Sequence, residues 1–166
     1  MFDIILYSPQ IPPNTGNIIR LCANTGARLH LIRPLGFDLD MKAVRRAGLD
    51  YHEMARVETH DNLTDCLAAL SPPALFAVTK FAAQSYVTPR YQAGTAFLFG
   101  AETTGLPDEI HNMLKDEQKI HLPMCAGNRS LNLSNAASIV LYEAWRQCEF
   151  AGHDRIAHIP PSDEGQ

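Results

Sequence analysis

The stretch HLPMCAGNRSLNLSNAASIVLYEAW, residues 121–145, decides most of what the sequence predicts about the fold. It starts as the end of a strand, passes through a turn rich in proline, glycine and asparagine, and opens a helix with Ser134 as the predicted N-cap. Apolar residues recur at helical spacing and predict one buried helix face: Leu133, Ala137, Val140, Leu141, Ala144, Trp145 and Cys148.

Short polar side chains are concentrated where this loop meets the helix. They are Asn128, Arg129, Ser130, Asn132 and Asn135. Such side chains, together with backbone amides at a helix start, can bind a polar ligand. The same residue types also serve ordinary turns and caps, so this stretch alone leaves both interpretations open.

Two further segments have the same polar character, NTGNIIR at 14–20 and FGAETTG at 99–105. Each of the three segments follows a predicted strand at its carboxyl end. Ligand crevices of open α/β sheets lie at that edge. The pattern therefore predicts one site built from three distant parts of the chain.

Strand-like and helix-like segments alternate along the chain, which predicts an α/β fold with a mostly parallel sheet flanked by helices. Asn14 is the predicted cap of the first helix and Gly26 its C-terminal stop. Residues 8–13 are expected to form a proline-rich loop, and residues 82–94 to be mostly irregular. The predicted strands are 2–7, 28–32, a short one at 57, 75–79, 95–99 and 119–122, and the predicted helices are 14–25, 41–47, 61–70, 107–114 and 134–149.

Length and composition indicate one globular domain. The 166 residues are 46% hydrophobic and 19% charged, with a net charge of −4. We expect a single domain over 1–152 and a flexible tail over 153–166. An acidic chain is not a typical nucleic-acid binder, yet its arginines and lysines are concentrated in a few segments, so a local basic surface remains compatible with the sequence.

Cellular location and metal binding are predicted from what the sequence lacks. No apolar run is long enough to span a bilayer, and the N-terminus does not resemble a signal peptide. The four cysteines form no C-x-x-C pair, which favours buried thiols at Cys22, Cys66 and Cys148 and a reducing cytoplasm. The seven histidines show no ligand spacing, so we expect no metal site.

Several common functional motifs are also missing. No G-x-G-x-x-G follows the first strand, no G-x-x-x-x-G-K-[ST] loop is present, and no G-x-S-x-G elbow occurs. These observations disfavour a nicotinamide-dependent oxidoreductase, a P-loop NTPase and an α/β-hydrolase.

Four segments together resemble the SPOUT superfamily of RNA methyltransferases, and within it the small tRNA wobble-nucleotide 2′-O-methyltransferases. They are IPPNTGNIIRLCANTG at 11–26, RRAGLDYHE at 45–53, FLFGAETTGLP at 97–107 and SLNLSNAASIVLYEAWRQ at 130–147. The resemblance covers about residues 1–150. The chain departs from the usual pattern at Lys80, where members tend to carry threonine, and at Thr104, where they tend to carry arginine.

The resemblance implies a C-terminal trefoil knot, a site for S-adenosyl-L-methionine with S-adenosyl-L-homocysteine as the product, and a homodimer. It implies methylation of the ribose 2′-hydroxyl of nucleotide 34, a cytidine or modified uridine, in the tRNA anticodon stem-loop, with leucine isoacceptors expected. Two alternatives stay open. One is a ribosomal RNA ribose 2′-O-methyltransferase of the same superfamily, and the other is a non-catalytic RNA-binding dimer.

The resemblance also assigns roles to individual residues. The implied cofactor-binding residues are Val78, Thr79, Gly100, Glu102, Gly105, Leu122, Met124, Ser130, Leu131 and Asn135. The implied catalytic residues are Arg20, Asn17, Arg129 and Tyr142. The expected RNA-binding residues are Lys42, Arg45 and Arg46. Because an arginine pKa is above about 12, we expect Arg20 to grip a phosphate rather than to act as a base. Gly100 is expected to be a glycine because a Cβ would hold the adenine away from the chain.

Overall fold

The computed structural model describes residues 1–38, 54–128 and 130–153. Its centre is a seven-stranded sheet of order β3-β2-β1-β6-β4-β7-β5, in which neighbouring strands are parallel. The strands are β1 (Asp3–Tyr7), β2 (Arg28–Ile32), β3 (Val57–His60), β4 (Leu75–Val78), β5 (Gln84–Ser85), β6 (Ala96–Phe99) and β7 (Lys119–His121). The helices are α1 (Pro12–Thr25), α2 (Leu63–Leu70), α3 (Asp108–Met113) and α4 (Leu133–Gln147), and a 3-10 turn covers Asp116–Gln118.

Helices cover both faces of the sheet, and each face has its own core. Ile4 and Leu6 of β1 belong to the core under α1 and α4, whereas Ile5 belongs to the core under α2 and α3. In a strand that is buried on both faces, apolar residues do not alternate with exposed polar ones. This explains why residues 4–7 of β1 form a continuous apolar run in the sequence. The predicted α/β class with a mostly parallel sheet is confirmed.

The first helix begins earlier than the sequence analysis predicts. Ile11 is the N-cap of α1, and the next two residues, Pro12 and Pro13, fill its first two helical positions. Proline is tolerated there because the first backbone N–H groups of a helix have no partner within it. The prediction that Asn14 caps this helix is therefore wrong. The predicted stop at Gly26 is confirmed, with a left-handed φ of 78°.

The last helix also has a different cap. Asn132 is the N-cap of α4, and its Oδ1 accepts hydrogen bonds from the backbone of Ser134 and Asn135. The prediction that Ser134 is the cap is wrong by two residues. Asparagine and serine are about equally good caps, so residue type alone could not have chosen between them.

The remaining elements differ from the predictions mainly at their ends. The segment 82–94, expected to be irregular, contributes the two-residue strand β5 at the sheet edge. Pro107 is the N-cap of α3 rather than its first helical residue. The predicted helix 41–47 and the tail beyond residue 153 lie outside the described residues. Within the described part of the chain, no helix combines the length and apolar character needed to cross a membrane.

Candidate functional site

The Glu102 carboxylate joins two of the three polar segments. It follows β6 and accepts hydrogen bonds from the backbone N–H of Gln10 at 2.8 Å and of Ile11 at 3.2 Å. Its Oε1 also accepts a bond from the Asn14 side-chain amide at 3.1 Å. One carboxylate therefore ties the loop after β6 to the start of α1.

Asn14 continues the connection to the third segment. Its Oδ1 accepts a hydrogen bond from the Asn132 side-chain amide at 2.8 Å, across 118 positions of sequence. Asn132 in turn caps α4 by accepting from the Ser134 backbone N–H at 2.9 Å and the Ser134 hydroxyl at 2.7 Å. The side-chain hydrogen bonds from Asn14 to Glu102 and from Asn132 to Asn14 bring all three predicted segments to one place. We call these three residues the clasp.

Beside the clasp lies a cleft of about 590 Å³ at the carboxyl ends of β4, β6 and β7. Nine of the ten predicted cofactor-binding residues line it: Val78, Thr79, Gly100, Glu102, Gly105, Leu122, Met124, Ser130 and Leu131. The tenth, Asn135, is not among the lining residues and lies on the exposed face of α4. The structure thus gathers the predicted residues, while their binding of a cofactor stays a prediction.

The rim of the cleft contains Phe81 and His111, which the sequence analysis did not select, and Lys80, which it noted only as a departure from the family pattern. Phe81 is 74% exposed, and its ring meets His111 of α3 edge to face with centroids 5.8 Å apart. The Lys80 ammonium lies 5.1 Å from the centre of the Phe81 ring. These three residues line the cleft, and we call them the aromatic rim. The sequence carries a signal for Lys80 and Phe81, because a lysine and an aromatic residue directly follow the end of a predicted strand. Nothing in the sequence pointed to His111.

The backbone of its own loop leaves no room for a side chain at Gly100. A Cβ at this position would lie 2.2 Å from the Gly105 carbonyl carbon and 2.3 Å from the Leu106 nitrogen. The loop folds back on itself there, with the Gly105 N–H donating to the Ala101 carbonyl at 2.8 Å. This close approach within the loop's own backbone requires a glycine whether or not a ligand is bound, and the expectation about adenine stays a prediction.

Three of the four predicted catalytic residues, Asn17, Arg20 and Tyr142, do not line the cleft of a single chain. Asn17 and Arg20 are exposed on α1, and Tyr142 is 46% exposed on α4, which packs against α1. Tyr142 contacts Trp145 edge to face at 5.8 Å, on the outer side of the helix. Arg129 and the predicted RNA-binding residues Lys42, Arg45 and Arg46 lie outside the described residues.

Comparisons with known proteins identify the family of the chain. The model of the SpoU rRNA Methylase family matches residues 1–142. A tRNA (cytidine(34)-2′-O)-methyltransferase from Methylovorus glucosotrophus is 57% identical over 152 residues, which cover 92% of this chain and 99% of the relative.

Two solved structures are similar to the whole fold. One, described as "Structural insights into the 2-OH methylation of C/U34 on tRNA", has a TM-score of 0.80 and 39% identity, covering 90% of this chain and 97% of its own. An AdoMet-bound rRNA methyltransferase from Sinorhizobium meliloti has a TM-score of 0.74 and 25% identity, covering 87% of this chain and 56% of its own. The resemblance stated from the sequence is confirmed, and the chain belongs to the SpoU rRNA Methylase family.

Proposed function

We propose that this protein transfers a methyl group from S-adenosylmethionine to the ribose 2′-hydroxyl of nucleotide 34 in tRNA. The observation that carries the proposal is the cleft whose lining joins the three polar segments through the clasp. The relative at 57% identity is named for this reaction on cytidine 34, and it matches this chain over nearly its full length.

The cleft suits the cofactor in size and lining. Ligand pockets usually enclose about 300–1,000 Å³ and combine apolar walls with a few polar groups, and this cleft of about 590 Å³ does both. Val78 and Leu122 offer apolar surface, while Thr79 and Ser130 offer hydroxyls. When bound, S-adenosylmethionine supplies a methyl group already activated on a sulfonium.

The chain's own task is to place the ribose hydroxyl against that methyl group. Holding two reactants in line can supply about 7–11 kcal/mol of the barrier. We assign Arg20 to a bidentate grip on the adjacent phosphate and Asn17 to the organisation of the loop beside it. Arg129 and Tyr142 are assigned to the far wall of the site or to RNA contact.

A homodimer would bring Asn17, Arg20 and Tyr142 to a cleft that they do not line within one chain. Ile139 is 39% and Tyr142 46% exposed on the outer face of α4, at helical spacing from exposed Asn135. The exposed Ile139 and Tyr142 lie on a helix that packs against α1, the helix of Arg20, and such an apolar face suits burial against a second copy. We infer that the partner's α1 completes each site.

The RNA is recognised, on this proposal, at the aromatic rim and by the basic segment of Lys42, Arg45 and Arg46. An anticodon loop offers unstacked bases, which stack on exposed aromatic rings such as Phe81. Ribosomal RNA is the second candidate substrate because the family's description names it. The anticodon stem-loop is favoured by the near full-length relative.

Three further properties belong to the proposal. The continuous seven-stranded sheet supports a single domain over 1–152, with 153–166 as a tail. We infer a C-terminal trefoil knot from the resemblance to this superfamily, and the packing of α4 against α1 after the chain leaves β7 is compatible with it. Four free cysteines suit a reducing compartment, and we infer the cytoplasm.

Cofactor binding is tested by titrating S-adenosylhomocysteine into the protein in a calorimeter. Ser130→Trp places a large ring in the cleft at an exposed position, so we expect affinity to fall at least about tenfold without loss of folding. Cys125→Trp is the matched control, because Cys125 is exposed on the same loop and does not line the cleft. Gly100→Val is unsuitable, since the loop backbone leaves no room for a side chain.

Methyl transfer is tested with radiolabelled S-adenosylmethionine and leucine tRNA transcripts. We expect incorporation into the unmodified transcript and none when nucleotide 34 carries a 2′-deoxyribose. Transfer that persists on the deoxy transcript would exclude the proposed acceptor. Binding of the cofactor without transfer to tRNA or to ribosomal RNA would favour the non-catalytic dimer.

A further inference from the structure

Three metal-ligating side chains meet on the α2 side of the sheet, in a place that the proposed reaction does not use. The ring nitrogens His30 Nδ1 and His60 Nε2 are 3.1 Å apart. The ligand atoms of His30, His60 and Cys66 all lie within 4.8 Å of one another. His30 and Cys66 are fully buried, while His60 is half-buried and leaves a route to solvent.

The backbone dictates this meeting. In the parallel pairing of β2 with β3, His30 stands opposite Glu58 and Ile32 opposite His60. Because side chains alternate along a strand, His30, Glu58 and His60 project from the same face of the sheet. Asn62 caps α2 through the Asp65 N–H, and the helix it starts carries Cys66 over that face.

The Asp3 carboxylate orients the ring of His30. His30 Nε2 lies 3.2 Å from Asp3 Oδ1, and Arg28 holds both oxygens of that carboxylate, at 2.7 and 3.0 Å. A histidine that donates one ring N–H to a carboxylate presents the lone pair of its other nitrogen. This is the usual arrangement behind metal-binding histidines. In His30 that other nitrogen is Nδ1, which faces His60.

We propose that His30, His60 and Cys66 bind a zinc ion, with Glu58 as the fourth ligand. Tetrahedral zinc with nitrogen and sulfur ligands requires ligand atoms about 3.3–3.6 Å apart, within the range the cluster already spans. The Glu58 carboxylate is 3.9 Å from His30 Nδ1, and its side chain is 57% exposed, so it can turn inward.

The charges of this ligand set balance. One thiolate and one carboxylate neutralise the two charges of zinc, which favours the ion at a buried position. Binding transfers the Cys66 thiol proton to solvent and involves no oxidation. The ion would join β2, β3 and α2, and so fix the strand at the sheet edge.

The test uses the full chain after chelator treatment. Cobalt(II) is titrated first, because a cysteine thiolate bound to cobalt gives a charge-transfer absorption band. We expect that band to saturate at one equivalent per chain, and zinc to abolish it. Zinc should also raise the melting temperature. A wild-type protein with no such band, or with no zinc-dependent rise in melting temperature, would overturn the proposal whatever the variants do.

Variants then locate the site. Cys66→Ser should lose the band and weaken zinc binding at least about 100-fold, and His60→Gln should weaken it at least about tenfold. Cys125→Ser, which changes the exposed thiol, should behave as wild type. Circular dichroism at each titration point confirms that the variants are folded. Full binding in folded Cys66→Ser, or its loss in Cys125→Ser, would assign the metal to other residues.

Discussion

Replacing Asn14 by aspartate tests the clasp, because a single atom changes. The Asn14 amide nitrogen donates to Glu102 Oε1 at 3.1 Å, and Asn14 is only 6% exposed. In Asn14→Asp an oxygen takes the place of that nitrogen, and two carboxylates face each other. At an effective dielectric constant of about 20, two negative charges about 3 Å apart repel each other by about 5 kcal/mol.

The folded variant can avoid this repulsion by holding one proton between the two carboxylates. An ordinary carboxylic acid has a pKa near 4, so keeping it protonated at pH 7 costs about 4 kcal/mol, slightly less than the repulsion. In the folded variant the pKa of this carboxyl pair is therefore higher than in the unfolded chain. The variant's free energy of unfolding is then closest to that of wild type at low pH and falls below it as the pH rises. We expect Asn14→Asp to be less stable than wild type by about 4 kcal/mol at pH 7 and by about 1 kcal/mol or less at pH 4.5.

Urea denaturation of both proteins between pH 4.5 and pH 7 measures this difference. Asn14→Ala is the control, because it loses two hydrogen bonds without adding a charge. It should cost about 1–3 kcal/mol, with the same pH dependence as wild type. If the loss in free energy of unfolding of Asn14→Asp does not grow with pH, the hydrogen bond between Asn14 and Glu102 is refuted.

Three other substitutions or reactions test separate parts of the molecule. Phe81→Ala removes a stacking surface worth about 1–3 kcal/mol per base, so the KM for tRNA should rise about 5- to 150-fold while Phe81→Tyr stays near wild type. Arg20→Lys keeps the charge and loses the bidentate grip. Its kcat should fall at least about 100-fold, with affinity for S-adenosylhomocysteine unchanged in calorimetry, and near-normal turnover would remove the phosphate role. Burial raises the pKa of Cys22 to about 12, so a thiol reagent at pH 8 should modify exposed Cys125 at least about a thousandfold faster, as followed by mass spectrometry of the native protein.

The sequence predicted the architecture because the signals for it are local. Continuous apolar runs mark strands buried on both faces, and the helix between β1 and β2 ends at the expected glycine. The sequence predicts the three polar segments at strand ends, and in the structure they meet. Because ligand sites of such folds lie at the carboxyl edge of the parallel sheet, correct strand positions are enough to predict where the site is.

What the sequence could not predict depends on contacts between distant residues. Nothing near Glu102 indicates that its carboxylate binds the backbone before α1, 91 and 92 positions away. The His30–His60–Cys66 cluster has no motif spacing, because a parallel strand pairing and a helix bring its members together. Arg20 and Tyr142 were assigned to the site, yet a single chain leaves them outside the cleft.

The long reach of the clasp also has a consequence for biosynthesis. Asn14 leaves the ribosome well before Asn132, its hydrogen-bond partner, which is made 118 residues later. A nascent chain that stops short of the last helix therefore lacks one side of the cleft as well as the cap of that helix. Ligand affinity should therefore appear only after α4 has been made, and the cofactor then stabilises chains that contain this helix but not shorter ones.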